Sequence, residues 1–133
     1  LNGLTGFENS LVFDENGFTS TKGVYIARDE NRIIGVAGAA ETSVNGVWEI
    51  GVDVIEKYRN ARVGTYLVKG LTKELLTRNI IPFYSASITN ISSQMVASRC
   101  NYIPFWVDTF GTILDESSVY HDFTRELLSK FIE

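Results

Sequence analysis

The residues that staple a chain or hold a metal are nearly missing. This sequence of 133 residues has one cysteine, Cys100, and one histidine, His121. One of each makes neither an internal disulfide nor a Cys/His zinc site, and no metal is expected. Lack of disulfides fits a reducing, cytoplasmic compartment. Prolines are equally scarce: Pro82 and Pro104 both sit beside β-like runs, where they fit strand starts or edges rather than helix interiors. No apolar run approaches the ~18 residues of a membrane span, and no basic-then-apolar leader opens the chain. Positive charge is in deficit, with 12 Lys and Arg against 16 Asp and Glu for a formal net charge of -4. That argues against a general binder of phosphate backbones, so neither nucleic acid nor membrane is expected as a partner. The first residue is Leu1, not Met, and we expect a processed or trimmed N-terminus, or the C-terminal part of a longer protein.

What remains is ordinary globular material, 44% hydrophobic and 21% charged. We expect a single domain over 1–133, large enough to bury a core without staples. Leu4, Phe7, Leu11 and Val12 are spaced to make one helical face, and Asp14–Gly23 reads as loop. Val24–Arg28 is an apolar run ended by the turn residues Asp29, Glu30 and Asn31. Ile33–Ala40 is small and apolar throughout, as in a strand covered on both faces. Asn45-Gly46 is a hairpin signal. Val47–Val54 alternates, with Trp48, Ile50, Val52 and Val54 on one side and Glu49, Gly51 and Asp53 on the other.

Then the period changes. Leu67, Val68, Leu71, Leu75 and Leu76 predict a helix from about Val63 to Arg78, stopped by Asn79. Ile80–Ile88 returns to β character. Thr89 and Asn90 are N-cap material for a short helix ending near Cys100. Tyr102–Phe110 reads as a last strand. Val119, Phe123, Leu127, Leu128 and Phe131 mark a C-terminal helix. The order β-β-β-α-β-α-β-α predicts an α/β (α+β) fold. Its sheet is mixed and mostly antiparallel, with one parallel β-α-β crossover and helices on both faces.

Between the third strand and the long helix lies Tyr58-Arg59-Asn60-Ala61-Arg62-Val63-Gly64-Thr65. A helix N-terminus offers free amides and partial positive charge, Gly64 permits close approach, and Arg59 and Arg62 add cations. The run is thus a candidate phosphate site, or an ordinary helix start with two solvated arginines.

The stretch Trp48–Leu71, WEIGVDVIEKYRNARVGTYLVKGL, resembles the acetyl-CoA-binding motif of the GNAT N-acetyltransferase superfamily, a strand followed by R/Q-x-x-G-x-G/A and a helix. Pro82–Val107 resembles the family's next strand-helix-strand. The resemblance runs from about Val24 to Val107, and the family-like core is set at about 24–110, with an extra C-terminal helix in 115–133. It implies acetyl transfer from acetyl-CoA to a primary amine by direct attack. Val52, Asp53 and Val54 would offer backbone groups to the pantetheine arm. Asn60, Ala61, Arg62, Val63, Gly64 and Thr65 would wrap the pyrophosphate, Arg59 takes the R/Q position, and Asn90 matches an Asn that contacts the cofactor.

Departures from the pattern are specific. Arg62 stands where the motif has its first glycine. Ala97 replaces a tyrosine that protonates the departing thiolate, Ser85 a glutamate base, and Asn101-Tyr102 a G-F pair. Glu49 or Asp53, on one face of the strand, is then the candidate base, directly or through water, or a solvated carboxylate. Tyr84 is the candidate acid, or a core aromatic. Cys100 reads as a small buried hydrophobe and His121 as a surface residue. Trp48, Phe105, Trp106 and Phe110 read as core, with Trp106 or Phe110 alternatively lining the acceptor site. The family's opening strand and helices are short or missing here. These departures motivate an alternative, a non-catalytic acyl-CoA-binding or regulatory module on the same scaffold. A homodimer is a further possible partnership.

Overall fold

The computed structural model describes residues 4–59 and 61–109. Three runs form an antiparallel meander, β1 (Thr21–Asp29), β2 (Arg32–Glu41) and β3 (Val47–Val54). Glu30 makes the first turn with φ of 50°, and Gly46 the second with φ of 79°. Helix α1 (Val63–Thr77) follows, then β4 (Ile81–Phe83), which pairs parallel with β3, and α2 (Ile91–Arg99). The sheet order is β1-β2-β3-β4. This is the expected mixed α/β sheet with one parallel crossover.

Both helices stop as their sequences dictate. Asn79 and Asn101 adopt the left-handed conformation, with φ of 58° and 64°. Each then closes a Schellman motif. Asn79 N–H bonds Leu76 O and Ile80 N–H bonds Leu75 O, while Asn101 N–H bonds Ser98 O and Tyr102 N–H bonds Ala97 O, at 3.0 to 3.1 Å. Asn101 thus fills a left-handed position that glycine commonly takes at a helix end.

β2 is the centre. Ile34 through Ala39 are all buried, as a strand covered on both faces requires. On one face Ala37, Ala39 and Ile50 pack with Leu67, Val68, Leu71 and Leu75 of α1, and Val96 of α2 joins that cluster. On the other face Val36 packs with Phe7 and Leu11.

That second face differs from expectation. Leu4, Phe7, Leu11 and Val12 form no helix. Phe7–Leu11 is a single turn, closed by Leu11 N–H to Phe7 O at 2.8 Å, and Val12 is exposed. The turn lies flat on the sheet because β2 and β3 present a bare patch. Gly38 and Gly51 are register partners. A Cβ on either would stand 1.7 Å from Ser10 O or 1.6 Å from Asn9 O. We call Gly6–Leu11 the strap. The face expected to carry a helix carries this strap instead.

Two predicted strands are also corrected. Ile80–Ile88 shrinks to Ile81–Phe83, because the backbone after Phe83 is bonded by side chains rather than by a ladder. Tyr102–Thr109 contains no strand; Tyr102 instead closes the α2 cap and packs its ring into the core. The C-terminal helix, Phe110, Asn60 and His121 lie outside the described residues. Contacts divide the chain into two compact units, Leu1–Ile103 and Pro104–Glu133. Every element above belongs to the first. In the second, the Phe105 and Trp106 rings meet edge to face, with centroids 5.5 Å apart.

Candidate functional site

The sheet opens between β3 and β4. Their parallel register holds for only three pairs, ending at Glu49↔Phe83. β3 runs on for five residues, and no described strand pairs with Ile50–Val54 on that side. The direction of the backbone groups follows from alternation. Ile55 N donates to Ile34 O at 2.9 Å and Thr42 N to Val47 O at 3.1 Å. In an unbroken antiparallel register the residues bonded to β2 are then Glu49, Gly51 and Asp53. Ile50, Val52 and Val54 turn their N–H and C=O toward the opening. The expectation that Asp53 offers backbone there does not fit this parity. Val54 O is occupied by Arg59 Nε, at 3.2 Å. In a parallel ladder Phe83 bonds the residues that flank its partner Glu49, which engages Ile50 as well, so Val52 is left as the residue presenting both groups at the opening.

The bend from β3 into α1 is braced at several points. Glu56–Tyr58 forms one 3-10 turn, Tyr58 Oη donates to Asp29 Oδ2 at 2.5 Å, and Arg59 reaches back to β3. Arg62 is the N-cap of α1 with φ of 61° and ψ of 13°, a left-handed conformation that favours glycine. A backbone shape that favours glycine is therefore held here by an arginine. The first helical bond to a described acceptor runs from Tyr66 N to Arg62 O at 3.1 Å, and the Val63, Gly64 and Thr65 amides have no acceptor among the described residues. No acidic residue occupies the first turn. Thr65 is only 7% exposed, and its Oγ1 has no hydrogen-bond partner among the described residues. Arg59, Ala61 and Arg62 are exposed, and neither arginine forms an ion pair among the described residues. Unmatched amides, two unpaired cations and an orphaned hydroxyl suit a bound anion.

The two candidate carboxylates differ sharply. Asp53 is fully engaged. Its Oδ2 accepts from Asn9 N at 2.9 Å, Ser10 N at 2.9 Å and Ser10 Oγ at 2.8 Å, and its Oδ1 accepts from Asn9 Nδ2 at 2.5 Å. It clamps the strap. Glu49 sits at the last β3–β4 pair, is exposed, and accepts a hydrogen bond from Ser85 Oγ. It is the carboxylate beside the opening.

Tyr84 packs against the core, its ring centroid 5.6 Å from that of Tyr102, and its hydroxyl pairs with Ser93 Oγ at 2.8 Å. Burial pushes its phenol up, against the lowering effect of Ser93, so the group keeps its proton at neutral pH. Asn90 caps α2, its Oδ1 accepting from Ser93 N at 3.0 Å. Cys100 is half-buried, with Sγ 3.5 Å from Thr65 O, and burial pushes its thiol up. An inert packing role fits. Among the described residues no group of His, Cys, Asp and Glu is placed to hold a metal. No helix among them is long and apolar enough to cross a membrane.

Charge is divided along the chain. Residues 55–103 carry seven Lys and Arg against two Asp and Glu, whereas residues 1–54 carry three against eight. The segment holding the helix N-terminus is cationic despite the acidic total. Sequence reasoning missed the strap, the Asp53 clamp and the Ser85–Glu49 bond. The signal for the first was two interior strand glycines, which often mark close backbone approach.

The acetyltransferase (GNAT) family matches residues 5–102. Among solved structures, the chain is similar to the aminoglycoside N-acetyltransferase AAC(6')-Iy in complex with CoA, at 21% identity. That match covers 68% of this chain and 65% of that one, with a TM-score of 0.57. An IAA acetyltransferase from Bacillus cereus matches at 19% identity over 58% of this chain and 52% of its own, with a TM-score of 0.53. A ribosomal-protein-alanine N-acetyltransferase from Brucella melitensis matches at 20% identity over 62% and 52%, with a TM-score of 0.52. At such identities the likeness is one of fold, and the chain spans about half to two thirds of the length of these proteins. No curated protein matches the sequence.

Proposed function

The chain belongs to the GNAT acetyltransferase family, and from that premise we propose that it transfers an acetyl group from acetyl-CoA to a primary amine by direct attack. The observation that carries this reading is the parting of β3 from β4 after Glu49, which leaves the Val52 backbone open beside the anion-ready start of α1. An acyl-pantetheine arm lies along β3 there, and the pyrophosphate meets the amides of Val63, Gly64 and Thr65 with Arg59 and Arg62. Strand amides polarise the thioester carbonyl. The amine lone pair attacks the carbonyl carbon, the C–S bond breaks, and CoA leaves as a thiolate that takes up a proton. Glu49 takes the proton lost by the nitrogen, directly or through water. Asp53 is held by the strap and has no such freedom. Tyr84 holds a proton but shares it with Ser93, so water serves equally well as the acid. The acidic balance of residues 1–54 favours a cationic acceptor.

Calorimetric titration with acetyl-CoA, followed by thiol-release assays across an amine panel, tests the reading. No binding at millimolar acetyl-CoA overturns it. Binding without CoA release favours a non-catalytic acyl-CoA-binding module, to which the missing tyrosine at Ala97 lends support.

Arg62 gives a separate expectation with two opposite signs. Arg62→Gly removes left-handed strain and is expected to stabilise the fold by about 0.5–1 kcal/mol in urea unfolding. The same change removes a cation from the anion site and weakens acetyl-CoA binding severalfold. A variant that gains stability and keeps full affinity shows that the Arg62 side chain points away from the ligand.

A further inference from the structure

Glu49 is a long side chain on an exposed strand position, and nothing cationic pairs with it among the described residues. Left alone it would sample many rotamers, and holding such a chain in one of them has an entropic cost. Its hydrogen-bond partner is Ser85, two residues beyond the end of β4. Ser85 itself is not on a loose loop. The segment is fixed before it by Tyr84, whose hydroxyl pairs with Ser93 Oγ at 2.8 Å. It is fixed after it by Gln94, whose Nε2 donates to Ser87 O at 3.0 Å and Ile88 O at 2.8 Å. Asn90 holds the same corner by capping α2. The first turn of α2 thus braces the chain that carries the Ser85 hydroxyl, and that hydroxyl reaches across the mouth of the opening to β3.

We propose that Ser85 is a positioning residue for acetyl transfer, holding the Glu49 carboxylate at the point where β3 and β4 part so that it meets the incoming amine. The proposal rests on the acetyl-transfer reading above, with Glu49 as the proton acceptor. Ser85 touches neither the acyl donor nor the amine. It acts through Glu49, so its removal is a loss of orientation, which is felt in turnover rather than in donor binding.

Steady-state kinetics on the intact chain test this with Ser85→Ala, Ser85→Thr, Glu49→Gln and the double variant Ser85→Ala/Glu49→Gln. Expected are a fall in kcat of roughly tenfold for Ser85→Ala with KM for acetyl-CoA unchanged, and recovery in Ser85→Thr, which keeps the hydroxyl. A further expectation is no added loss when Ser85→Ala is placed in the Glu49→Gln background. Losses that multiply in the double variant, a change confined to KM, or failure of Thr to rescue overturns the proposal. Should the wild type release no CoA with any amine, it is the acetyl-transfer reading that fails. The Glu49 side-chain couplings measured by NMR then decide the placement itself. A single Glu49 rotamer in wild type that becomes averaged in Ser85→Ala upholds the Ser85 brace, and averaging already present in wild type overturns it.

Discussion

Gly64→Glu is expected to weaken acetyl-CoA binding at least a hundredfold, while Gly64→Ala stays close to wild type. The contrast comes from where a side chain at this position begins. An ideal Cβ on Gly64 lies 3.5 Å from Val54 Cγ2, 3.7 Å from Val96 Cγ2 and 3.8 Å from Val52 Cγ2, all ordinary contacts. A methyl group therefore fits, and its helix propensity is better than that of glycine. A glutamate starts from the same point, among the valines that flank the opening, and ends in a carboxylate beside the Val63–Thr65 amides. That charge satisfies the helix N-terminus and takes the place of an external anion. Two like charges about 5 Å apart at an effective dielectric of 20 repel by about 3 kcal/mol, which is the hundredfold. Calorimetry gives the affinities, and circular dichroism establishes that each variant is folded. A folded Gly64→Glu protein with unaltered affinity removes the start of α1 from the binding site.

Much of this geometry is visible in the residue pattern. The Val47–Val54 alternation places Trp48, Ile50 and Val52 in the helix-side core and Glu49, Gly51 and Asp53 on the opposite face, as the structure has them. The leucine spacing of α1 and the asparagine stops are local properties, set by periodicity and by tolerance of positive φ, and they survive folding unchanged. What the pattern does not carry is competition between distant groups. Ile80–Ile88 has the composition of a full strand, yet β4 ends at Phe83. Side chains of α2 and β3 bond the rest of that segment from elsewhere in the chain. Phe7 and Leu11 have helical spacing and do lie on one face, but one turn suffices to bury both. Glu49 and Asp53 are equivalent in the alternation. Only the strap, 43 and 44 residues away in sequence, separates a clamped carboxylate from an accessible one.

The strap also sets the largest stability effect expected in the fold. Gly51→Ala places a methyl group where Asn9 O stands, 1.6 Å from the new atom, and Gly38→Ala does the same at Ser10 O, 1.7 Å away. Both obstacles are backbone, pinned by the Asp53 clamp, so neither yields by a rotamer change. Displacing the strap strips Phe7 and Leu11, 4% and 5% exposed, from their contacts with Val36 and breaks the bonds at Asp53. A loss of about 3 kcal/mol or more follows, equivalent to a melting temperature lower by roughly 10 °C. Gly35→Ala is the control. Its closest obstacle is Leu67 Cδ1 at 2.9 Å, the far end of a flexible side chain, and its cost is smaller. The ranking Gly51 ≈ Gly38 > Gly35 in thermal unfolding is the test, and a Gly51→Ala protein as stable as wild type removes the strap from the sheet. The functional consequence has its own direction. Glu49 and Gly51 share a face of β3, so a strap lifted from Gly51 exposes the ground beside the proposed base while the α1 face keeps its core. Acceptor KM should therefore change more than acetyl-CoA affinity, which ties the strap to the amine side of the opening rather than to the nucleotide side.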